Sequence, residues 1–443
     1  MSYPNPHSGQ VVCARLRQAG HLAYFAGGAV RDRLLGRPIL DLDIATSATP
    51  DEVVALFPDA RLVGASFGVV LVREGDDEIQ VATFRSDLSY PDHRHPEAVV
   101  FEKDPRQDVL RRDFTINGLL EDPLSGEVLD FVGGRADLAA GIIRAIGDPA
   151  ARFAEDALRM LRAVRFAARF GFSIEPLTLD AIRTHAYCIK AISAERVRDE
   201  LSLILTEGGT PKGFVWLDSA GLLPLILPEV SAMKGVAQPP EYHLEGDVWT
   251  HTLLLLDHLR HPSIELALAA LLHDVAKPAT FTQTDRIRFD GHAELGAAMT
   301  RDILTRLRYP NAVIDSVSSL VANHMRFMDV PRMGQAAFKR LLCLPRFNDQ
   351  LELLRIDTLA AYRPLTTFEL VQRRIAETPP DSVRPPRLLT GVDLIAMGYE
   401  SGPLLGEILA AIEEAQLEGS LETKAAAESY VLSRYKPNRL WKA

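Results

Sequence analysis

The sequence predicts an α+β protein in which a small mixed region precedes a long helical one. Strand-like segments alternate with short helices between residues 22 and 144, and helical periodicity dominates from Phe153 onward. No fixed-period repeat interrupts the 443 residues. We therefore predict four regions, which span residues 1–144, 145–235, 236–365 and 366–443.

Composition and charge are those of an ordinary globular protein, with 47% hydrophobic and 24% charged residues and a net charge of −10. The net negative charge argues against a protein that binds nucleic acid over most of its surface, although a basic groove can coexist with that charge. Three isolated cysteines, Cys13, Cys188 and Cys343, argue against a disulfide framework. Since neither a membrane span nor a signal peptide is evident, we expect a cytoplasmic protein without membrane attachment, whose oligomeric state the sequence leaves open.

Strand and helix patterns alternate in the N-terminal region. Strands are predicted at "AYFAGG", "ILDLDIAT", "GVVLVREG", "EIQVATFR" and "GEVLDFVGG", and helices at "AVRDRLLG", "TPDEVVALF" and "VLRRDFTINGLLE". Asp41 and Asp43 interrupt the second of these strands. Because residues i and i+2 of a strand share a face, the two carboxylates would converge and repel each other. Either both lie in water at a strand end, or a cation lies between them.

A glycine pair precedes the two aspartates. Gly27 and Gly28 end the first strand, and Arg31 falls in the first turn of the helix that follows. Such a pair lets the backbone approach a phosphate at a helix N-terminus, although a structural turn explains it equally well. Combined with two carboxylates about a dozen residues later, the pattern is what a nucleoside triphosphate with Mg²⁺ requires.

Three runs occur in a recognisable order. "GGAVRDRLLGRPILDLDIAT", "RRDFTINGLL" and "EDALRMLRAVRF" resemble the signature motifs of class II nucleotidyltransferases, the family of bacterial tRNA CCA-adding enzymes and poly(A) polymerases. The resemblance implies a polymerase-β-like nucleotidyltransferase head, followed by all-helical neck, body, HD and tail regions. It makes Asp41 and Asp43 the catalytic ligands of Mg²⁺, and it gives Gly28, Arg31 and Arg112 a role in binding the nucleotide.

One position departs from the family pattern. Gln80, in "EIQVATFR", stands where relatives carry a glutamate that serves as a third metal-binding carboxylate. Asp113 and Glu78 are the alternatives for that role, and the sequence does not choose between them.

The run "EDALRMLRAVRFAAR" predicts a helix with an arginine face. Arg159, Arg162, Arg165 and Arg169 fall within one sector of about 120°, and only Glu155 is placed on the helix to pair with them. A solvated charged face is the simpler interpretation. A base reader is the alternative, in which Asp156 accepts from the exocyclic amino group of C or A while Arg159 donates to the adjacent ring nitrogen. The predicted nucleotide-binding residues are Asp156, Arg159, Arg162 and Arg165.

Seven of the twelve histidines lie between His243 and His324. The segments "VWTHTLLLLDHL", "LAALLHDVAKP", "FDGHAELG" and "VANHMRFMD" resemble an HD-domain phosphohydrolase. The resemblance implies a divalent transition metal and activity on cyclic phosphates or 2′-phosphates. The implied metal ligands are His251, His273, Asp274 and Asp357, with His292 and His324 nearby. A few packed or surface histidines would be the simpler explanation.

Together the motifs predict an enzyme that adds C, C and then A to the 3′ end of tRNA from CTP and ATP, without a template and with release of pyrophosphate. "VGASFGVVLV" is similar to the CCA-adding type, and an intact loop "SDLSYPDHRHPEAVVFEKDP" favours terminal A addition. Three alternatives stay open: an A-adding enzyme, a poly(A) polymerase, and an HD phosphohydrolase whose head only binds RNA. The intact Asp41, Asp43 and Arg112 weigh against the last.

Overall fold

A computed structural model describes residues 5–39, 41–63, 68–87, 99–241 and 243–436. It confirms the predicted α+β class, with strands concentrated before residue 144 and helices after it. The chain divides into two compact units, the first Met1–Ala232 with Arg306–Tyr309 and the second Met233–Thr305 with Pro310–Ala443. Most of the predicted loop at residues 86–105 lies outside the described residues.

The first unit begins with the head, which is built on a seven-stranded sheet. The head strands are β1 (Ala23–Ala26), β2 (Asp43–Thr46), β3 (Arg61–Leu62), β4 (Val69–Glu74), β5 (Asp77–Thr83), β6 (Arg85–Asp87), β7 (Val99–Phe101), β8 (Leu119–Glu121) and β9 (Val128–Asp130). Its helices are α1 (Pro6–Gln18), α2 (Gly28–Leu34), α3 (Pro50–Leu56), α4 (Pro105–Leu110) and α5 (Gly134–Ala140), with a 3₁₀ turn at Thr115–Asn117. Strands β6 and β7 form a separate pair.

The strand order of the large sheet is β3-β4-β5-β2-β1-β8-β9, and only the β2–β5 pair is parallel. In that pair Asp43 lies opposite Gln80. Ile79 and Val81 of β5 are buried in the core, whereas Glu78 and Gln80 point to the opposite, exposed face. Since partners in a ladder share a face, the sheet places Asp43 and Gln80 side by side on the surface that α1 does not cover.

The rest of the first unit is helical, apart from the short parallel pair β10 (Ile142–Ile143) and β11 (Ser173–Ile174). Its helices are α6 (Pro149–Glu155), α7 (Leu158–Phe170), α8 (Pro176–His185), α9 (Ala194–Thr206), α10 (Thr210–Ser219), α11 (Leu223–Ile226) and α12 (Pro228–Ser231), with a 3₁₀ segment at Ala186–Ala191. Helix α7 packs against α9 and α10.

The helix predicted for "EDALRMLRAVRFAARF" begins three residues later than predicted, because a break at Asp156 separates it from the preceding helix. Helix α6 ends at Glu155, and Asp156 is extended, with φ −147° and ψ 103°. The Asp156 side chain accepts a hydrogen bond from the Leu158 amide at 3.0 Å, so it satisfies a free donor at the start of α7. The same carboxylate binds Arg196 of α9. These two bonds stabilise a break that no proline or glycine marks in the sequence.

The second unit is almost entirely helical. Its elements are α13 (Val248–Asp257), α14 (Ile264–Leu272), α15 (Lys277–Thr280), β12 (Thr282–Gln283), β13 (Ile287–Arg288), α16 (His292–Arg306), α17 (Asn311–Asn323), α18 (Gln335–Leu342), α19 (Phe347–Ala360), α20 (Thr366–Glu377), α21 (Pro380–Val383), α22 (Gly391–Ala396), α23 (Pro403–Leu417) and α24 (Lys424–Arg434). A 3₁₀ segment covers His324–Arg332.

Helix α14 is the centre of the histidine-rich part of this unit. All residues from Leu266 to Leu272 are buried, so the helix is apolar on every side and packs against α13, α17 and α19. His273 and Asp274 follow directly at its C-terminal end. Among the described residues, no helix is both long and apolar enough to cross a membrane.

Candidate active sites

The two head aspartates lie where the central strand begins. Asp43 is the first residue of β2, and Asp41 precedes it by two residues. Burial raises the pKa of the Asp43 carboxyl, the nearby Arg112 partly opposes this, and the Asp41 charge raises it again. Within the described part of the chain, neither carboxylate has an ion-pair partner within 4 Å. A divalent cation would supply the missing positive charge, so the donor set fits Mg²⁺.

The structure separates the alternatives for a third carboxylate. Asp113 is buried, and its two oxygens bind Arg162 at 2.7 Å, Asn117 at 3.0 Å and the Phe114 amide at 2.8 Å. It therefore has no free lone pair directed at the aspartates. Gln80 lies beside Asp43, and Glu78 lies on the same exposed face of β5, two residues away.

The glycine pair does more than form a turn, because Gly27 leaves room for the side chain of Arg112. Gly27 has φ +62°, and a Cβ atom there would lie 2.8 Å from Nη1 of Arg112. A Cβ at Gly28 would meet only Arg31 Nη2 at 3.5 Å, an ordinary contact. The position that requires glycine for conformational reasons is thus Gly27, and the role in nucleotide binding that the resemblance implies for Gly28 stays a prediction.

Arg112 is held at this glycine by two partners. Its guanidinium binds the buried Asp108 at 2.9 Å and the carbonyl oxygen of Asn117 at 3.3 Å. Burial raises the pKa of Asp108, but Arg112 and Arg111 outweigh that effect and lower it. Arg112 is consequently a fixed positive charge near Asp43.

Arg31 is buried in the interior of the head. Only 4% of the residue is exposed, Nε and Nη2 contact Asp32 at 2.8 Å, and Nη1 donates to Asn117 at 2.6 Å. The guanidinium also stacks on Phe166 and Phe170 of α7. Direct contact with a triphosphate would require these bonds to be exchanged.

Asp156 and Arg159 lie on either side of the start of α7. Asp156 makes a two-pronged bond with Arg196, at 2.7 and 3.2 Å. Arg159 donates to Glu155 at 2.6 Å and to the carbonyl oxygen of Arg111 at 3.3 Å. Both side chains are only partly buried, so their polar edges can exchange these partners for a base.

Within this run Glu155 pairs with Arg159, as its spacing predicts, but acidic residues outside the run pair with the other three arginines. Arg162 binds Asp113, and Arg165 binds Glu200 of α9 at 2.7 Å and Glu207 at 3.3 Å. Arg169 binds Glu207 as well, at 3.2 Å. Arg165 is only 7% exposed, so this side chain belongs to the interior. The acidic partners were missed because they come from other segments of the chain, Asp113 before α6 and Glu200 and Glu207 in and just after α9, which helical spacing does not reveal.

In the second unit the predicted metal ligands converge. The ligand atoms of His251, His273 and Asp357 lie within 4.8 Å of one another. Nε2 of His251 is 3.0 Å from Oδ1 of Asp357, and Nε2 of His273 is 3.1 Å from Oδ2 of Asp274. Buried ring nitrogens this close to carboxylate oxygens fit the ligand set of a transition metal.

Glu245 orients the first of these histidines and was missed by the sequence analysis. Its Oε1 contacts Nδ1 of His251 at 2.6 Å and Nδ1 of His243 at 2.8 Å. Burial lowers the pKa of His251, but Asp357 and Glu245 outweigh it and raise the pKa to about 9. A carboxylate on Nδ1 fixes the tautomer that leaves Nε2 free for a metal.

A second ligand group adjoins the first through Asp274. Oδ2 of Asp274 is 3.1 Å from His273, whereas Oδ1 is 3.6 Å from His292 and 3.9 Å from His324. His292 and His324 themselves approach to 3.3 Å. The sequence analysis named these two histidines as neighbours but not as ligands, and the structure places them where a second ion could bind.

Lys277 completes the polar surroundings of this cluster. Its ammonium binds Asp274 at 2.7 Å and Gln238 at 2.6 Å, and it lies over the ring of Phe289. It is therefore a buried cation whose charge Asp274 compensates.

Comparisons with known proteins agree with this arrangement. Residues 23–144 match the Poly A polymerase head domain, residues 171–234 match the probable RNA- and SrmB-binding site of polymerase A, and residues 247–361 match the HD domain. The chain is 35% identical over 419 residues to the CCA-adding enzyme of Geobacillus stearothermophilus, covering 93% of each chain. It is 33% identical over 420 residues to that of Enterococcus faecalis, covering 93% of this chain and 92% of the relative.

A solved structure gives the same result. The Bacillus stearothermophilus CCA-adding enzyme in complex with CTP superposes with a TM-score of 0.75 at 29% identity, covering 97% of this chain and 98% of that one. The Thermotoga maritima enzyme complexed with tRNA, at 20% identity and a TM-score of 0.60, shares the fold. Relatedness over nearly the whole length confirms the predicted nucleotidyltransferase family and the HD domain. This chain belongs to the family of CCA-adding enzymes.

Proposed function

We propose that this chain adds C, C and then A to the 3′ end of tRNA, with CTP and ATP as substrates. The observation that carries the proposal is the pair Asp41 and Asp43, which has no ion-pair partner within 4 Å among the described residues and lies close to the fixed charge of Arg112. The relative solved with CTP supports this choice of substrate. A protein that acts on tRNA with these nucleotides is expected in the cytoplasm.

In the proposed reaction, the terminal 3′ oxygen of tRNA attacks the α-phosphorus of the nucleotide. The new O–P bond forms as the bond from the α-phosphorus to the bridging oxygen breaks, pyrophosphate leaves with that electron pair, and the hydroxyl proton passes to water. Asp41 and Asp43 would hold Mg²⁺, which when bound offsets the charge of the phosphates and makes the attacking hydroxyl more acidic. Arg112, close to Gly27, would orient the triphosphate.

Base selection is proposed for Asp156 and Arg159. An acceptor beside a donor matches the edges of C and A, whereas U and G present the opposite polarity. Binding a base would replace Arg196 on Asp156 and Glu155 on Arg159. Arg162 and Arg165 would then support the reader through their ion pairs with Asp113 and Glu200 rather than touch the base.

One experiment distinguishes this function from its alternatives. The protein is incubated with tRNA ending at position 73, tRNA ending in CC, or an unstructured RNA, together with each labelled nucleotide in turn. We expect C, C and A on the first and A alone on the second. Activity only on the CC end would indicate an A-adding enzyme, and long A tracts on unstructured RNA a poly(A) polymerase. No incorporation at all would leave the head as an RNA-binding module.

We further propose that the HD region is a metal-dependent phosphohydrolase that acts on 2′,3′-cyclic phosphates or 2′-phosphates. The convergence of the ligand atoms of His251, His273 and Asp357 carries this proposal. In each turnover water attacks phosphorus, one P–O ester bond breaks, and the leaving oxygen takes up a proton. A bound transition metal would supply a more acidic water molecule.

The test of this second activity replaces both His273 and Asp274 with alanine. We expect the variant to lose hydrolysis of 2′,3′-cyclic AMP and its bound transition metal, measured by inductively coupled plasma mass spectrometry. CCA addition should be retained, since the two aspartates of the head are untouched. Hydrolysis that persists at the parent rate in a highly purified variant would contradict the proposal.

A further inference from the structure

A cavity of about 460 Å³ opens beside the histidine cluster. His273, Asp274 and Asp357 form part of its wall, and the hairpin of β12 and β13 together with the 3₁₀ segment after α17 forms much of the rest. One or two metal ions occupy far less space than this. The volume instead falls in the range of small-molecule sites, about 300–1,000 Å³.

Arg363 brings a positive charge to the cavity wall. Its Nε is buried and has no hydrogen-bond partner within the described residues. The Arg363 amide donates to the carbonyl oxygen of Thr358, just after the end of α19. Because a buried donor without a partner is unfavourable, an anionic ligand would be favoured here.

The neighbouring part of the cavity wall is apolar. Met325 and Met328 leave 44% and 41% of their surface exposed, and Phe289 lies near them in the cavity lining. Methionine pairs form soft apolar surfaces that accept planar groups. An anion site and an apolar surface in one cavity match a ligand with a charged end and a flat end.

We infer that this cavity binds a nucleoside phosphate, with Arg363 on the phosphate oxygens that face away from the histidines and with Met325 and Met328 against the base. The inference rests on the proposed hydrolase function and deepens it, because it identifies the residues that select a nucleotide over other phosphate esters. Arg363 binds the phosphate of every such ester, whereas the methionines contact only those that carry a base.

The test compares two phosphate monoesters, adenosine 2′-phosphate and glycerol 2-phosphate, in the metal-loaded protein. For Arg363→Ala we expect KM to rise roughly 10- to 100-fold for both, the range of a lost charge-assisted hydrogen bond. For the double variant Met325→Ala, Met328→Ala we expect KM to rise roughly tenfold for the nucleotide and to stay unchanged for the glycerol ester. Arg363→Lys, which keeps the charge, should recover part of the loss.

Two further measurements make the outcome decisive. Arg373→Ala, which removes an exposed arginine of α20 outside the cavity, is the matched control, and metal content should be equal in all variants. Calorimetric titration with adenosine 2′-phosphate reports binding without turnover. If Arg363→Ala behaves as Arg373→Ala does in KM and in binding, the inference is wrong.

The titration also separates this inference from the function on which it rests. If the metal-loaded parent hydrolyses neither ester, the proposed phosphohydrolase function fails. Weaker nucleotide binding in the Arg363 and methionine variants would then still support the cavity assignment, whereas unchanged binding would overturn it.

Discussion

Replacing Asp113 with asparagine tests the link between the "RRDFTIN" segment and α7. Asp113 is 9% exposed and binds Arg162 at 2.7 Å. Burial raises the pKa of its carboxyl, but Arg162, Asn117 and the Phe114 amide outweigh this and lower it to about 2. A pKa lowered from 3.8 to about 2 corresponds to roughly 2–3 kcal/mol of stability at neutral pH. We therefore expect Asp113→Asn to cost about 2–4 kcal/mol, since it also leaves Arg162 with only the more distant Glu200, at 3.8 Å.

The same pKa gives the sign of the pH dependence. Because the folded-state pKa is depressed, the stabilisation is fully present above about pH 4 and is lost as pH falls towards 2. The parent should lose this stabilisation across that window, whereas the variant, with no charge at position 113, should be less dependent on pH there.

Hydrogen exchange measured by mass spectrometry is the suitable assay, because a chain of several regions does not unfold in one step. Peptides from Leu158–Phe170 should exchange faster in the variant. The control is Asp180→Asn, which breaks an exposed pair with Arg183 and should change protection by less than about 0.5 kcal/mol. Equal protection in both variants would refute the reasoning. A weaker Mg²⁺ response without any loss of protection would instead indicate that Asp113 is a metal ligand.

Four other predictions follow from single contacts. Asp43→Ala should abolish CMP incorporation while the melting temperature stays within about two degrees of the parent, because burial already disfavours that charge; parent-like incorporation would contradict the catalytic role. Asp156→Ala should lower kcat/KM for CTP and ATP roughly ten- to hundred-fold and lower UTP misincorporation much less; an equal loss for all four nucleotides would show a structural role only. Glu200→Gln should cost about 2–3 kcal/mol, because Arg165 then keeps only its longer contact with Glu207, with nucleotide preference unchanged; a changed preference would place Arg165 at the base. Gln80→Glu should lower the Mg²⁺ concentration that half-maximally stabilises the head against heat; an unchanged midpoint would exclude position 80 from the metal site.

The hydrophobic pattern of the sequence correctly predicts those helices and strands that depend mainly on their own side chains. The alternation in "EIQVATFR" correctly predicts β5, since Ile79 and Val81 are buried and Gln80 is exposed. The apolar run before His273 likewise predicts α14. In both segments the period of the side chains alone decides which of them enter the core.

Features that depend on distant residues escaped prediction. The break at Asp156 depends on Arg196, and the burial of Arg165 depends on Glu200, each about 35–40 residues away. Spacing within one helix carries no information on such partners. The approach of Asp357 to His251 was likewise inferred from the family resemblance, because no periodicity connects positions 106 residues apart.

The amide of Gln80 affects how strongly the carboxylates of the head repel each other when no metal is bound. Neighbouring strands lie about 4.8 Å apart, so a carboxylate at position 80 would add roughly 3 kcal/mol of repulsion with Asp43 at an effective dielectric constant of 20. Glutamine removes that repulsion but also removes a charge that would attract Mg²⁺. Glu78, two residues along the same face, can supply a charge farther from Asp43. The expected consequence is a head that is less strained without metal and that needs more Mg²⁺ to reach full activity.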